Sequence, residues 1–166
     1  LAGKTIGIIG MGNIGSKVAR IADAFGMKVC YFSTSGTGHC KEYPSLPLEE
    51  LLAISDIVSI HAPLNERTNR LIGKEQLAMM KPSAYLVNVG RGAIVVEEDL
   101  AEAVDNGVIA GAGMDVFVQE PIPEDHPYLR MKHPERMRLT PHIAWASIEA
   151  RSRLIGIMAD NIRKGW

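Results

Sequence analysis

The stretch Thr5-Ile6-Gly7-Ile8-Ile9-Gly10-Met11-Gly12-Asn13-Ile14-Gly15 decides the fold. Its first five residues, mostly β-branched, read as a short strand suited to burial on both faces. A helix is then predicted from about Ile14 to Phe25, with Ile14, Val18, Ile21 and Phe25 stepping by four, three and four along one buried stripe. Gly26 stands where a left-handed cap belongs, and Lys28-Val29-Cys30-Tyr31-Phe32 opens the next strand. Between strand and helix, Gly10 permits a tight turn, Gly12 lets backbone approach a pyrophosphate, and Gly15 allows helix and strand to lie close. The helix start offers unpaired N–H groups to the anion. Strand, glycine spacing and helix together favour dinucleotide binding over a plain glycine turn or a methyltransferase-like nucleotide loop.

The same alternation continues along the chain. Strands are predicted over 57–60, 84–89, 109–116 and 138–140, with helices over 48–53, 74–80, 97–106 and 147–164. Glu97, Glu98 and Asp99 place negative charge at the positive end of one helix. Residues 33–47 and the proline-punctuated 119–135 read as loops, and long loops in compact domains are usually functional. This pattern is the signature of an α/β fold with a doubly wound, mainly parallel sheet and helices on both faces. No repeat or internal boundary divides the chain, so 1–166 is expected to be one dinucleotide-binding domain.

Composition narrows the function classes. Of 166 residues, 46% are hydrophobic and 22% charged, enough apolar material for a real core and too much for a disordered chain. Eighteen Lys and Arg against nineteen Asp and Glu leave a net charge of −1, which recruits neither nucleic acid nor anionic lipid. No apolar run approaches the ~18 residues of a membrane span. Cys30 and Cys40 fit neither a disulfide framework nor a zinc set, so no metal is expected. Without a basic-then-apolar leader, the expected setting is cytoplasmic.

The end of the second strand bears on the cofactor. An Asp or Glu there accepts from the adenosine ribose hydroxyls of NAD. Here the chain reads Ser33-Thr34-Ser35-Gly36, and the first acid beyond is Glu42. Losing the carboxylate removes repulsion against a 2′-phosphate, yet no Arg is adjacent in sequence, so NAD and NADP stay equally open.

Three further segments carry chemistry. Arg91, flanked by Gly90 and Gly92, can hold a substrate carboxylate through two parallel hydrogen bonds, with the glycines leaving room for a ligand. Asp115-Val116-Phe117 ends a strand and Glu120-Pro121 follows; Thr140-Pro141-His142 lies beyond the loop. A carboxylate beside an imidazole fixes the ring and favours its protonated form, making the pair a proton donor to a substrate oxygen. A separation of 22 residues does not itself show that Glu120 and His142 touch. His61 after the third strand reads as structural, and His126 and His133 as surface residues. The basic residues Arg130, Lys132, Arg136 and Arg138 lack interleaved aromatics and read as a solvated loop. The stripe Leu154, Ile155, Ile157, Met158 and Ile162 reads as core or subunit contact.

Taken in order, these motifs resemble the nucleotide-binding domain of the D-isomer-specific 2-hydroxyacid dehydrogenases. The matching features are Gly10–Gly15, His61-Ala-Pro-Leu-Asn with Thr68, Val87-Asn-Val-Gly-Arg91-Gly, Asp115-Val-Phe with Glu120-Pro, and Thr140-Pro-His142. The resemblance implies a Rossmann-type fold and an oxidoreductase moving a hydride between NAD(P)H and a small 2-oxo acid. It implies that Arg91 binds the 2-oxo acid, that His142 protonates the carbonyl oxygen, and that Glu120 orients His142. It sets Asp115 by the nicotinamide and Asn13 and Ile14 by the pyrophosphate; Gly10, Gly12, Gly15, Ser33, Thr34, Pro63, Thr68 and Val89 complete the expected cofactor contacts. Trp145 resembles hydroxypyruvate and glycerate reductase members. Ser33 departs from the family's usual Asp. The resemblance also implies a homodimer and a second, substrate domain outside this chain, so the isolated domain is expected to bind cofactor with little turnover. The alternative is an NAD(H)-sensing, corepressor-like interaction module; retention of all three catalytic residue types favours the enzyme.

Overall fold

In a computed structural model that describes residues 1–36, 38 and 40–165, six strands form one sheet. They are β1 (Thr5–Ile9), β2 (Lys28–Phe32), β3 (Ile57–Ile60), β4 (Tyr85–Asn88), β5 (Gly111–Met114) and β6 (Met137–Leu139). Their order is β2-β1-β3-β4-β5-β6, and every pairing is parallel. Helices α1 (Asn13–Ala24), α2 (Leu48–Ile54), α3 (Lys74–Met79) and α4 (Glu97–Asp105) connect strands, and α5 (Ile148–Lys164) follows the last one.

Alternation along β1 explains how helices cover both faces. Ile6 and Ile8 share one face and pack with Ala19 and Ala22 of α1. Ile9 faces the other way and joins Leu48, Leu51 and Leu52 of α2. Gly7 lies on that second face, where any Cβ would press into Leu51 and Ser55. The chain thus leaves β1 by α1 to reach β2 on one side, then crosses by α2 to β3 on the other. That reversal opens a crevice beyond the carboxyl ends of β1 and β3, the place where open α/β sheets bind ligands.

Helix α1 has the expected period but a different phase. Gly15, Ala19 and Ala22 form its buried face, while Ile14, Ile21 and Phe25 are 63%, 59% and 60% exposed. The buried set is the expected stripe advanced by one residue. Small side chains win that position because Ile8 already fills the space above β1, and a second layer of bulky residues would hold the helix away from the strand. Strand β5 is four residues long rather than eight. The α5 stripe is not core: none of its residues is buried. Among the described residues no helix is long and apolar enough to cross a membrane.

Candidate active site

The crevice is floored by the glycine turn. Gly10 has φ 94°, and a Cβ there would sit 2.8 Å from the Ala62 amide nitrogen, so the turn lies directly against the chain leaving β3. A Cβ at Gly15 would overlap the Gly10 carbonyl oxygen. At Gly12 nothing lies within 4 Å, which leaves one side of the turn open. Gly12 also occupies the N-cap of α1, with no side-chain cap and no acid in the first turn. Uncapped amides facing open space, with Asn13 and Ile14 exposed beside them, fit the pyrophosphate of a dinucleotide.

Around this floor stand the other expected cofactor residues. Ser33 and Thr34 are half-buried past β2, and Ser33 Oγ lies 3.1 Å from Ser35 Oγ. Thr68 is wholly buried, and its hydroxyl donates to the Pro63 carbonyl at 2.7 Å, folding the loop after β3. Val89 is half-buried just past β4. His61 Nε2 is 2.9 Å from Ser59 Oγ, and burial pushes its imidazole below the ordinary range. One neighbour was invisible in sequence order: Arg67 donates from Nη1 to the Ser35 carbonyl at 3.3 Å.

At the far end of the sheet edge, Glu120 and His142 meet. His142 Nδ1 donates to Glu120 Oε2 at 2.8 Å, and the Phe117 amide donates to Oε1 at 3.0 Å. The bond from His142, then that from Phe117, holds the Glu120 carboxyl below its usual range. With Nδ1 committed, Nε2 is the ring nitrogen left to meet a substrate oxygen. His142 has φ 54°, an uncommon backbone for a non-glycine residue, and Asp115 holds the turn in that shape. Asp115 accepts from the Thr140 hydroxyl and from the amides of Ile143 and Ala144, the latter two at 2.9 Å. Burial alone would raise the Asp115 carboxyl; these three donors outweigh it and lower it. Trp145, a faint sequence signal, steadies the same turn by donating Nε1–H to the His142 carbonyl at 2.9 Å.

Arg91 stands on the turn after β4, shaped by buried Asn88, which accepts from the Gly90 amide at 3.0 Å and donates to the Arg91 carbonyl at 2.9 Å. Its exposed guanidinium bonds the Gly90 carbonyl at 2.8 Å. Among the described residues no hydrogen bond or ion pair joins it to Glu120 or His142. The flanking glycines make room for protein, not for ligand: a Cβ at Gly92 would overlap the Phe117 backbone, and one at Gly90 would come 3.0 Å from the Ala62 carbonyl. The close approach at Gly92 draws the Arg91 turn against the segment leading to Glu120. A hollow of about 510 Å³, walled by Phe117, Ile122, Leu129 and Leu139, opens beside the Glu120–His142 pair.

His126 is not a surface residue. It is buried against Phe117 and Tyr128, with ring centroids 5.8 and 4.8 Å away, and its Nδ1 accepts from the Tyr128 amide at 3.3 Å. Its Nε2 lies 3.1 Å from Glu97 Oε2, too oblique for a hydrogen bond. Local sequence hid this partner, which comes from the first turn of α4. His133 stays half-exposed beside Glu135.

Residues 1–144 match the D-isomer specific 2-hydroxyacid dehydrogenase family, NAD binding domain. The chain belongs to that family. A glyoxylate reductase of Korarchaeum cryptofilum is 48% identical over 165 residues, covering 96% of this chain and 48% of its own. An NADPH-dependent glyoxylate/hydroxypyruvate reductase of Sinorhizobium meliloti, solved with citrate, superposes with TM-score 0.87 at 33% identity over 98% of this chain and 50% of its own. The NAD-complexed D-isomer specific 2-hydroxyacid dehydrogenase of Lactobacillus delbrueckii ssp. bulgaricus gives 0.84 at 32% identity, over 98% and 53%. The chain therefore spans about half the length of these relatives. None of the three supports the alternative of a sensing module.

Proposed function

We propose that this chain is the nucleotide-binding half of an NAD(P)-dependent D-2-hydroxyacid dehydrogenase acting on a small 2-oxo acid such as glyoxylate or hydroxypyruvate. The observation that carries the reading is the Glu120–His142 contact at the carboxyl edge of a sheet whose glycine turn fits a pyrophosphate. The names of the relatives support the substrate class.

In this reading a reduced nicotinamide supplies the hydride. Arg91 pairs with the substrate carboxylate and turns the 2-oxo group toward His142. His142 passes the proton on Nε2 to the carbonyl oxygen, and takes one back in the reverse direction. Glu120 keeps Nδ1 protonated and the ring pointed. Asp115 holds the His142 turn and borders the nicotinamide side. Gly10, Gly12, Asn13, Ile14 and Gly15 receive the pyrophosphate; Ser33, Thr34, Pro63 and Val89 line the rest of the cofactor path, and buried Thr68 holds the Pro63 loop in place from beneath rather than touching the cofactor. A second domain completes the substrate pocket, and a cytoplasmic homodimer is the assembly this reading carries.

The test is NAD(P)H oxidation by the protein together with its flanking chain, using glyoxylate, hydroxypyruvate and pyruvate. Turnover is expected with the flanking chain and little from residues 1–166 alone. Cofactor binding without turnover on a wide 2-oxo acid panel overturns the reading.

A further inference from the structure

Arg67 belongs by sequence to the loop after β3, yet it reaches the loop after β2. Its Nη1 donates to the Ser35 carbonyl at 3.3 Å, and a Cβ at Gly36 would come 3.4 Å from the same nitrogen. The guanidinium thus lies along the Ser35–Gly36 backbone, immediately past Ser33.

Its own backbone is tied down. Asn65 Oδ1 accepts from the Arg67 amide at 2.9 Å and from the Thr68 amide at 3.2 Å, and buried Thr68 bonds back to Pro63. The side chain therefore springs from an ordered turn. Between the two loops lies a shallow depression of about 360 Å³ lined by Thr34, Ser35, Asn65, Glu66 and Arg67.

This is the place past β2 where a carboxylate would accept from ribose hydroxyls, and residues 33–36 contain no acid. A guanidinium carries five donors in a planar fork, and a single bond to a carbonyl leaves the fork able to grip a phosphate. Glu66 opposes this charge, but among the described residues it makes no hydrogen bond to residues 33–36, and an exposed carboxylate turns to water at little cost.

We infer that Arg67 is a ligand for the 2′-phosphate of the cofactor, and that the protein binds NADP(H) in preference to NAD(H). The inference rests on the reading of the glycine turn as a dinucleotide cradle. It supplies, from a second loop, the cation absent beside Ser33 in sequence.

Titration calorimetry of the whole protein with NADPH, NADH, adenosine 2′,5′-bisphosphate and 5′-AMP tests it without turnover. The wild type is expected to hold NADPH and the bisphosphate about tenfold to a hundredfold more tightly than their 2′-hydroxyl counterparts, the range for hydrogen bonds to a charged group. Arg67→Gln should remove most of that margin while leaving NADH affinity within about twofold, since NADH presents only a hydroxyl at that point. Arg67→Lys should keep part of it. NADH binding by each variant also verifies its fold. Equal wild-type affinities, or a loss in Arg67→Gln shared by both dinucleotides, overturn the assignment. A wild-type protein that binds neither dinucleotide overturns the cradle itself, a distinguishable failure.

Discussion

The carboxylate of Glu97 and the imidazole of His126 face each other at 3.1 Å, both nearly removed from solvent, beneath the segment that carries Glu120. Glu97 Oε1 also accepts from the Val118 amide at 3.0 Å, one residue after the amide that Glu120 itself holds. Two carboxylates thus grip neighbouring amides, one from the core and one from the site. Glu97→Ala strands the Val118 amide and removes the acid facing His126. We expect a loss of about 1–2 kcal/mol of unfolding free energy, the lower part of the range for an unmatched donor, because Val118 is exposed and water can reach its amide. Urea unfolding measures it, and a change under about 0.5 kcal/mol, ordinary for a surface substitution, would show that the pair does not anchor the loop.

Asp115 does for His142 what Glu97 does for the Glu120 segment. Asp115→Asn keeps the shape but turns an amide NH2 toward at least one donor among Thr140, Ile143 and Ala144. A cost of about 1–3 kcal/mol follows from the unmatched buried donor. The pH dependence has a definite sign. Because the folded-state carboxyl is lowered, its stabilising contribution is present above the unfolded value of about 3.9 and disappears as pH falls through the lower folded value. Unfolding followed from pH 7 downward should therefore show no loss from this group until below about pH 4, and the Asn variant should lack that acid-dependent component.

The glycine turn separates stability from binding. At Gly15 a Cβ would overlap the Gly10 carbonyl, whereas at Gly12 it would meet nothing. Gly15→Ala should destabilise by about 1–3 kcal/mol or more, the cost of overpacking against backbone. Gly12→Ala should leave the unfolding midpoint unchanged and weaken dinucleotide binding by about tenfold or more, one to two kcal/mol of lost close approach. Thermal unfolding and calorimetry run on both variants distinguish the two effects. Equal behaviour of the pair would contradict the distinct roles given to the two positions.

Most of the sheet was legible because short apolar runs rich in β-branched and aromatic residues need no tertiary context, and β1, β2 and β3 begin and end where their residue types change. The phase of α1 was not legible from hydrophobicity. Its buried face is chosen by the closeness of the strand below, and closeness selects Gly15, Ala19 and Ala22 over their bulkier neighbours. The same blindness applied to the loops. His126 carries no local sign that α4 brings Glu97 to it, and Arg67 none that its turn folds toward Ser35, 32 residues earlier. Local pattern reveals which residue types can do chemistry; only the tertiary path of the chain decides which of them meet.

The Glu120–His142 bond allows proton delivery to be tested separately from packing. Glu120→Gln retains length and can still accept from the Phe117 amide, so the fold should persist. Its amide group, however, would donate toward His142 Nδ1 and reverse the donor and acceptor roles at that nitrogen. The ring would then hold its proton on Nε2 without a carboxylate to stabilise the charged form during transfer. Turnover by the protein with its flanking chain should fall by about 10²- to 10⁴-fold, the usual worth of a positioned acid–base group. His142→Ala should fall at least as far, and the double variant little further, because the two residues act as one unit. NAD(P)H affinity should stay within about twofold in all three, since no cofactor contact depends on the pair and the change amounts to under 0.5 kcal/mol. Additive losses in the double variant would separate the two roles and remove Glu120 from the proton path.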